Sequence, residues 1–303
     1  MLSGLIVMCY LFTCFSTCYN EKGDKDSKVT KIGDTLFHWG ERTFLMGIIN
    51  LSPESFSGDG LETAEEALER AQNLVEDGAD IIDVGGESTR PEAKPITSEE
   101  EMRRVIPFIT RAKRVLKVPI SIDTYKVSVA EKALAAGADL LNDVSGLTNN
   151  SSKMLELAGE SMVPIVITSN QRGNLARDIM NSVLHQLTEM IVKAEQVGVS
   201  WENIIVDPGV GFGKTVEQNL EILRRLDELK ILRRPILLGT SRKSFIGAVL
   251  GTTPENRLEG TAATITIGIM KGADIVRVHD VKQMRLIAKM SDAVMRGWEG
   301  KWR

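Results

Sequence analysis

Arg277 and His279 stand two residues apart at the end of an apolar run, and both side-chain types bind anions. Alternate residues of a strand share a face, so these two side chains project together while Val276 and Val278 turn the other way. Lys243 ends another apolar run and adds a positive charge. The pattern predicts an anion site. The alternative is that Arg277 makes a structural ion pair with a nearby carboxylate.

Asp123, Asn142 and Asp207 also follow apolar runs. Carboxylates accept protons from ring N–H and amino groups, and an amide both donates and accepts, so three such groups together suit a flat, nitrogen-rich heterocycle. The alternative for each residue taken singly is that it caps a loop.

The segment 207–215 is rich in glycine but matches neither common nucleotide-binding pattern. A Walker A loop would need glycine where Pro208 stands, and the dinucleotide-binding pattern would need glycine in place of Lys214. We therefore predict a flexible loop that exposes backbone N–H groups and Phe212, with a simple turn as the alternative.

Two other loops are long enough to cover a site. Residues 50–60 are rich in glycine and serine and predict a mobile lid that could exclude water from a reactive intermediate. Residues 85–91 present a further cation, Arg90. Ordinary surface loops are the alternative in both cases.

All these residues follow short apolar runs, and eight such runs alternate with stretches of helical periodicity. Strand and helix repeated eight times is the pattern of a (β/α)8 or TIM barrel, an α/β fold with its catalytic residues at the C-terminal ends of the strands. The runs are rich in Ile, Val and Leu, as buried parallel strands are. The predicted strands are 44–50, 80–86, 119–124, 140–146, 163–168, 204–210, 235–241 and 274–279.

The ends of several helices can also be predicted. Ser98 begins a capping-box pattern with Glu101, which indicates the start of a helix. Three closures share the pattern Gly-Ala-Asp, at residues 78–80, 137–139 and 272–274, as expected for repeated helix-to-strand turns. We expect Trp298 and Trp302 to cover the lower end of the barrel or to form a subunit contact.

The composition excludes several classes of protein. The net charge of −4 argues against a broad nucleic-acid surface. All three cysteines lie within the first twenty residues, so the barrel holds neither a disulfide framework nor a cysteine-ligated metal. The three histidines are scattered, which argues against a histidine-rich zinc site.

We divide the chain into an N-terminal extension, residues 1–30, and a single barrel domain, residues 31–303. The extension contains an apolar segment, residues 5–12. It resembles the core of a signal peptide, but no Lys or Arg precedes it and it is too short to span a bilayer. An unstructured extension, a misassigned start codon and a weak targeting segment are all open. The barrel is typical of a cytoplasmic enzyme, and we do not expect a membrane partner.

The strand-end motifs closely resemble those of one family, dihydropteroate synthase of folate biosynthesis. The resemblance covers essentially the whole barrel, from about residue 37 to the last helix. The segments that carry it, in order, are 46–50, 85–91, 121–124, 141–146, 207–215, 241–245 and 277–280. Membership implies a pterin-binding barrel that condenses 7,8-dihydropterin-6-ylmethyl diphosphate with 4-aminobenzoate, giving 7,8-dihydropteroate and diphosphate.

The resemblance also implies roles for individual residues. The pterin diphosphate would be held by Thr89, Asp123, Asn142, Asp207, Lys243, Arg277 and His279. The 4-aminobenzoate pocket would be flanked by Thr89, Arg90, Phe212 and Ser244. Asn50 would contribute to a Mg²⁺ site, and Mg²⁺ with Arg277 would stabilise the leaving diphosphate. The implied catalytic residues are Lys243, Arg277 and His279.

Two positions depart from the family pattern. The fifth strand commonly ends in Met-His in this family, whereas Thr168 and Ser169 stand here. The apolar contact of that Met with the pterin is then missing or replaced. In the first loop Gly58 precedes Asp59, which displaces the family's aspartate by one residue and puts its part in closing over the site in doubt.

Two other interpretations keep the same fold. A pterin-binding methyltransferase, which passes a methyl group from a folate to a corrinoid partner, shares the Asp, Asn and Asp set. Methyl transfer has no diphosphate to hold, so the pairing of Lys243 with Arg277 and His279 favours the synthase. A catalytically impaired pterin-binding paralogue would tolerate the two departures. Family resemblance further implies a homodimer acting on small molecules.

Overall fold

The computed structural model describes residues 28–51, 64–87, 94–146, 149–170 and 177–298. Eight parallel strands form the predicted TIM barrel, and each lies inside one of the predicted apolar runs. They are β3 (Phe44–Asn50), β4 (Ile81–Gly85), β5 (Ile120–Asp123), β6 (Leu140–Asp143), β7 (Ile165–Thr168), β8 (Ile204–Asp207), β9 (Leu237–Leu238) and β10 (Ile275–Val278). Neighbouring strands pair in chain order, β10 pairs with β3, and a bridge between Val206 and Ile236 joins β8 to β9.

Helices surround the barrel and supply the outer half of its core. They are α1 (Ala64–Asp77), α2 (Ser98–Val115), α3 (Val127–Ala136), α4 (Asn149–Ser161), α5 (Ile179–Gln196), α6 (Val216–Arg224), α7 (Ser244–Leu250), α8 (Leu258–Lys271) and α9 (Val281–Arg296). Outward-facing strand residues such as Ile120 and Ile122 pack with buried helix residues in one large apolar cluster. No helix in the described ranges is both long enough and apolar enough to cross a membrane.

The inward-facing positions of the strands change character from one end of the barrel to the other. At the N-terminal ends they are apolar and form a second cluster, which includes Met46, Ile81, Leu140, Val166, Ile205, Leu237 and Ile275. Two residues further along, the same face carries Asp83, Asn142, Thr168, Asp207 and Arg277. The barrel therefore has an apolar lower half and a polar upper half.

A hairpin that the strand predictions missed covers the lower end. It consists of β1 (Val29–Ile32) and β2 (Thr35–His38), and it begins before the predicted domain boundary at residue 31. Phe37 stacks on Trp39 with ring centroids 5.5 Å apart and lies 4.9 Å from Phe44 of β3. Trp298, which we expected to cover this end or a subunit contact, is 62% exposed. The rings of Phe37, Trp39 and Phe44 close this end of the barrel. A subunit contact of Trp298 stays a prediction, and Trp302 lies outside the described residues.

The repeated Gly-Ala-Asp closure has a structural explanation. Gly78, Gly137 and Gly272 all adopt the left-handed conformation that ends a helix. The aspartate that follows each one accepts a hydrogen bond from a backbone N–H at the start of a neighbouring strand. The pairs are Asp80 with Leu45 (2.8 Å), Asp139 with Ile120 (3.0 Å) and Asp274 with Ile236 (3.0 Å). The repeat therefore ties each turn to the strand that comes before it in the chain.

The predicted helix start is confirmed, since α2 begins at Ser98, but the capping residue differs by one position. Thr97, not Ser98, is the N-cap, and its side chain accepts a hydrogen bond from the backbone N–H of Glu100. Both residue types make good caps, so the sequence alone does not distinguish them.

The aromatic plug should dominate the stability of the lower half. We expect Phe37→Ala to lower the free energy of unfolding by about 3–5 kcal/mol, because it opens a cavity beneath the barrel. Leu36→Ala, in the same strand but 56% exposed, is the matched control and should cost less than about 0.5 kcal/mol. Urea unfolding of both variants measures this. Equal losses would contradict the assignment of Phe37 to the plug.

Candidate active site

The polar upper half of the barrel brings together most of the residues that the sequence singled out. Asp123 and Asp207 end β5 and β8, Asn142 is the last residue but one of β6, and Arg277 lies on the inner face of β10. Lys243 immediately precedes α7. Thr89 and Arg90 lie outside the described residues, as do Gly58 and Asp59 of the predicted lid.

Arg277 is the centre of a buried ion-pair network. Its Nε donates to Asp83 and its Nη2 donates to Asp123, each over 2.6 Å. The Nδ2 atom of Asn142 donates to the same Asp83 oxygen over 3.2 Å. The structural ion pair that we gave as the alternative for Arg277 is therefore present. An additional contact of Arg277 with an anion stays a prediction.

Burial controls the charge of this network. It raises the pKa of Asp123 to about 7, although Arg277 acts in the opposite direction. Burial also raises the pKa of Asp207, partly opposed by a hydrogen bond from the N–H of Gly209. For Arg277, burial lowers the pKa, but Asp83 and Asp123 outweigh it and the net shift is upward. Arg277 therefore stays charged and forms ion pairs with two carboxyl groups.

His279 is neutral at physiological pH. Burial, reinforced by the charges of Arg277 and Arg242, lowers its pKa to about 3. The Oγ atom of Ser241 accepts from the backbone N–H of His279 and lies 3.0 Å from Nδ1. If the hydroxyl donates its proton to Nδ1, the ring proton resides on Nε2. His279 would then offer an anion a hydrogen bond rather than a charge.

The loop after β8 is held more firmly than we predicted. The Nζ atom of Lys214 donates to the carbonyl oxygens of Ser169 (2.8 Å), Gly209 (2.8 Å) and Phe212 (3.3 Å). Asp207 accepts from the N–H of Gly209 over 2.7 Å. A Cβ atom at Gly209, where φ is +68°, would lie 1.9 Å from the Ser169 carbonyl oxygen, so only glycine fits. Phe212 is 9% exposed and not freely presented.

Lys243 and Phe212 contact each other beside the polar upper half of the barrel. The Lys243 ammonium lies 4.3 Å from the centroid of the Phe212 ring. This is close enough for a cation–π interaction. Ser244, the first residue of α7, is exposed beside them. The role of Phe212 and Ser244 at the 4-aminobenzoate pocket stays a prediction.

Asn50 ends β3 at the same face of the barrel, and its carbonyl oxygen is 3.5 Å from a guanidinium nitrogen of Arg70. Within the described residues, no group of three or more His, Cys, Asp or Glu side chains could hold a metal ion. The contribution of Asn50 to a Mg²⁺ site stays a prediction.

The base of the second loop is anchored beside β5. Glu87 accepts hydrogen bonds from Tyr125 (2.9 Å) and Lys126 (2.5 Å) and from the backbone N–H of Ile96 (3.2 Å). Lys126 also contacts the buried Glu101 at 2.6 Å. The last described residue before Thr89 and Arg90 is thus joined to the segment that follows Asp123.

Asp83 and Lys214 are the functional candidates that we missed. Asp83 stands between Ile82 and Val84 in an otherwise apolar strand, so its charge was the available signal. Lys214 entered only as a mismatch to a glycine pattern. The glycine-rich sequence around Lys214 does not predict that three carbonyl groups surround its ammonium in the fold.

The end of β7, where the sequence departs from the family, is fully buried. The Ser169 hydroxyl donates to Gln186 of α5 over 2.7 Å. Gln186 in turn donates to the carbonyl oxygen of Asn170 over 3.1 Å. Ser169 therefore points into the layer between sheet and helices. Thr168, on the opposite face, points into the barrel.

Comparison with known proteins decides the family. The family model described as pterin binding enzyme matches residues 46–279. A curated dihydropteroate synthase from Bacillus subtilis is 49% identical over 256 residues, covering 84% of this chain and 90% of the relative. The chain belongs to the dihydropteroate synthase family. A second synthase, from Clostridium beijerinckii, is 48% identical and is covered over 99% of its length.

Solved structures of other synthases agree. The Clostridium difficile synthase, crystallised in the presence of pteroic acid, is 51% identical with a TM-score of 0.82 and covers 86% of this chain and 99% of its own. The Xanthomonas albilineans synthase with 4-aminobenzoic acid is 37% identical with a TM-score of 0.83, covering 88% of this chain and 98% of its own. The expected family and fold are both confirmed, and the synthase is favoured over the methyltransferase.

The half-buried Lys214 should make the stability of the synthase depend on pH. Burial lowers its pKa to about 7, with Asp207 acting in the opposite direction. The unfolded chain keeps this proton up to about pH 10.4, so between these values the unfolded state binds more protons. The free energy of unfolding should therefore gain from Lys214 as the pH rises from about 7 to 10.

Lys214→Met removes this contribution, so its stability should rise less with pH than that of the wild type. Chemical denaturation at several pH values measures the difference. Lys193→Met, at an exposed position of α5, is the control and should follow the wild-type profile. Parallel profiles for wild type and Lys214→Met would contradict the low pKa.

Proposed function

We propose that the polar upper half of this barrel binds a pterin diphosphate and 4-aminobenzoate and joins them with release of diphosphate. One observation carries the assignment of the site. Five buried polar atoms on the inner faces of neighbouring strands have no hydrogen-bond partner within the described protein: Asp83 Oδ1, Ser121 Oγ, Asp123 Oδ1, Asn142 Oδ1 and Thr168 Oγ1. Buried polar atoms are costly unless paired, so this row suits a planar ligand rich in N–H groups.

The pterin ring would lie against the inner faces of β5, β6 and β8. Asp123 and Asp207 would accept its N–H and amino protons, and Asn142 would accept a further one through Oδ1. Lys243, which acts electrostatically on Asp123 and Asp207, would donate to the ring from the other side. Asp83 would orient this set through its bonds with Arg277 and Asn142.

The 4-aminobenzoate would enter between the loop after β8 and the start of α7. Phe212 offers an aromatic face beside the Lys243 ammonium, and Ser244 is exposed next to it. Thr89 and Arg90 complete this pocket in our proposal, with Arg90 suited to the carboxylate of the substrate. Their placement stays a prediction.

The diphosphate would meet Arg277 and His279, but these residues bring little free charge. Two carboxyl groups already offset the Arg277 cation, and His279 is neutral. Mg²⁺ characteristically binds through one or two protein oxygens together with substrate phosphates. Asn50 at the end of β3 fits such a donor set. When bound, Mg²⁺ would neutralise charge on the leaving diphosphate.

The chemistry needs no strong general base. The bond between the pterin methylene carbon and the diphosphate oxygen breaks, and both electrons leave with the diphosphate. The neutral arylamine nitrogen then attacks that carbon and releases one proton. The residues of this chain contribute orientation of the ring and stabilisation of the leaving anion, which are effective because the site is largely buried.

A reconstituted assay tests the function. Purified protein with the pterin diphosphate, 4-aminobenzoate and Mg²⁺ should form 7,8-dihydropteroate and diphosphate in equal amounts. Chelation of Mg²⁺ should suppress turnover, and Mg²⁺ in excess should restore it. A protein that binds pterin but forms no product would be a catalytically impaired paralogue instead.

Arg277 should matter far more for turnover than an equally paired arginine elsewhere. We expect Arg277→Ala to reduce kcat/KM by about 100- to 1,000-fold, as loss of a buried transition-state donor does. The matched control is Arg42→Ala, since Arg42 also makes two hydrogen bonds to one carboxylate, Asp80, but at the lower end of the barrel. Arg42→Ala should leave kcat/KM close to wild type. Similar losses in both variants would contradict an anion site at Arg277.

We also propose that the synthase is a homodimer through α8 and α9. Leu286, Met290 and Val294 recur every four residues along α9, and each is 66% exposed. Ile267 and Met270 are exposed on the adjacent α8. A continuous apolar face of this kind is typical of a subunit interface. Location in the cytoplasm stays a prediction, as does the status of residues 1–27, which lie outside the described residues, as an extension.

Light scattering after size exclusion tests the dimer. We expect twice the chain mass of 33.4 kDa for the wild type and a single chain mass for Met290→Glu. Met162→Glu changes a methionine that is also exposed but lies outside α8 and α9, and this variant should remain dimeric. A monomeric wild type would overturn the proposal.

A further inference from the structure

Thr168 is an anomaly among the buried threonines of this protein. Within the described residues six threonines are buried, and five have a hydrogen-bond partner for the hydroxyl. The partnered ones are Thr30, Thr43, Thr124, Thr240 and Thr261. The Thr168 hydroxyl has none, although the residue is 0% exposed. Valine would fill the same space without an unpaired polar atom.

The position of Thr168 directs this hydroxyl into the barrel. Val166, two residues earlier in β7, belongs to the apolar cluster inside the lower half. Alternate residues share a face, so Thr168 lies on the inner face one step higher. In the sheet register Thr168 pairs with Asp207 of β8. The hydroxyl therefore adjoins the proposed pterin site and lies away from the helices.

Thr168 also differs chemically from most of the unpaired atoms on the neighbouring strands. The unpaired oxygens of Asp83, Asp123 and Asn142 can serve ring N–H groups as acceptors. A pterin also carries acceptors, namely its oxo group and its unprotonated ring nitrogens. A hydroxyl can donate to such an atom, whereas those oxygens, when ionised or part of an amide, cannot.

We propose that Thr168 is a specificity-determining residue of the synthase, whose hydroxyl donates a hydrogen bond to an acceptor atom of the pterin ring beside Asp207. The inference rests on the proposed function, because it takes the upper half of the barrel as the pterin site. Thr168 would give β7 a polar contact with the ligand. This contact favours a heterocycle whose ring atom facing the hydroxyl is an acceptor, over an analogue with a C–H group at the same ring position.

Binding of 6-hydroxymethylpterin, measured by calorimetry, tests the contact without the diphosphate. We expect Thr168→Val to weaken binding by about five- to fifteen-fold, because a ring acceptor is left unpaired. The KM for 4-aminobenzoate should not change. The ligand-free melting temperature should stay equal or rise by about 2–4 °C, since the variant no longer buries an unpaired hydroxyl.

Two comparisons separate this role from a structural one. Thr30→Val removes a paired hydroxyl at the lower end, so it should lower the melting temperature and leave pterin binding unchanged. Thr168→Ser and Thr168→Ala both lack the methyl group, so their difference in pterin affinity reports the hydroxyl even if the valine variant does not fold. The serine variant should bind more tightly by a similar factor.

The failures are distinguishable. A wild type that binds pterin while Thr168→Val and Thr168→Ala bind it equally well overturns the inference alone. Weaker binding accompanied by a melting temperature lowered as in Thr30→Val, with no rescue by serine, also overturns it in favour of a packing role. A wild type that binds no pterin overturns the proposed function and the inference with it.

Discussion

Arg277, Asp83 and Asp123 place three ionisable groups inside a closed sheet of buried strands, where an unpaired charge is costly. Two bonds of 2.6 Å from one guanidinium connect β10 with β4 and β5 across the intervening β3. Loss of the arginine would leave two buried carboxyl groups without a cation. The network therefore constrains the relative positions of these strand ends, and with them the atoms that face the substrate site.

The barrel separates stability from chemistry along its axis. The lower half is filled by apolar residues and closed by the rings of Phe37 and Trp39, so it needs no polar compensation. The upper half carries unpaired polar atoms, which a folded protein retains at a cost. Apolar packing in the lower half can offset this loss of stability, because that packing does not depend on the ligand. In the upper half, the loop after β8 is held by three hydrogen bonds from Lys214 to backbone carbonyl oxygens.

The strand ends were predictable because alternation within buried strands is a local property. Asp123, Asn142 and Asp207 emerged at the mouth, and Arg277 proved to face inwards as the spacing required. Asp83 was overlooked because its significance lies in contacts with β6 and β10, distant in sequence. The hairpin before β3 was missed for a similar reason, since its short strands gain stability from the barrel that they cover. The loop after β8 was expected to be flexible, because glycines favour flexibility and no local pattern reveals the carbonyl groups around Lys214.

The sequence by itself determined the barrel, the number and order of its strands, and the family, since periodicity and strand-end motifs are read along the chain. Only the tertiary structure decided which charges neutralise one another, which loop is held, and which hydroxyl lacks a partner. Those properties depend on burial and on distances between residues remote in sequence. The contrast is clearest at β7. Thr168 and Ser169 are simply two polar residues in the sequence, whereas the fold pairs Ser169 with Gln186 and turns Thr168 towards the substrate site.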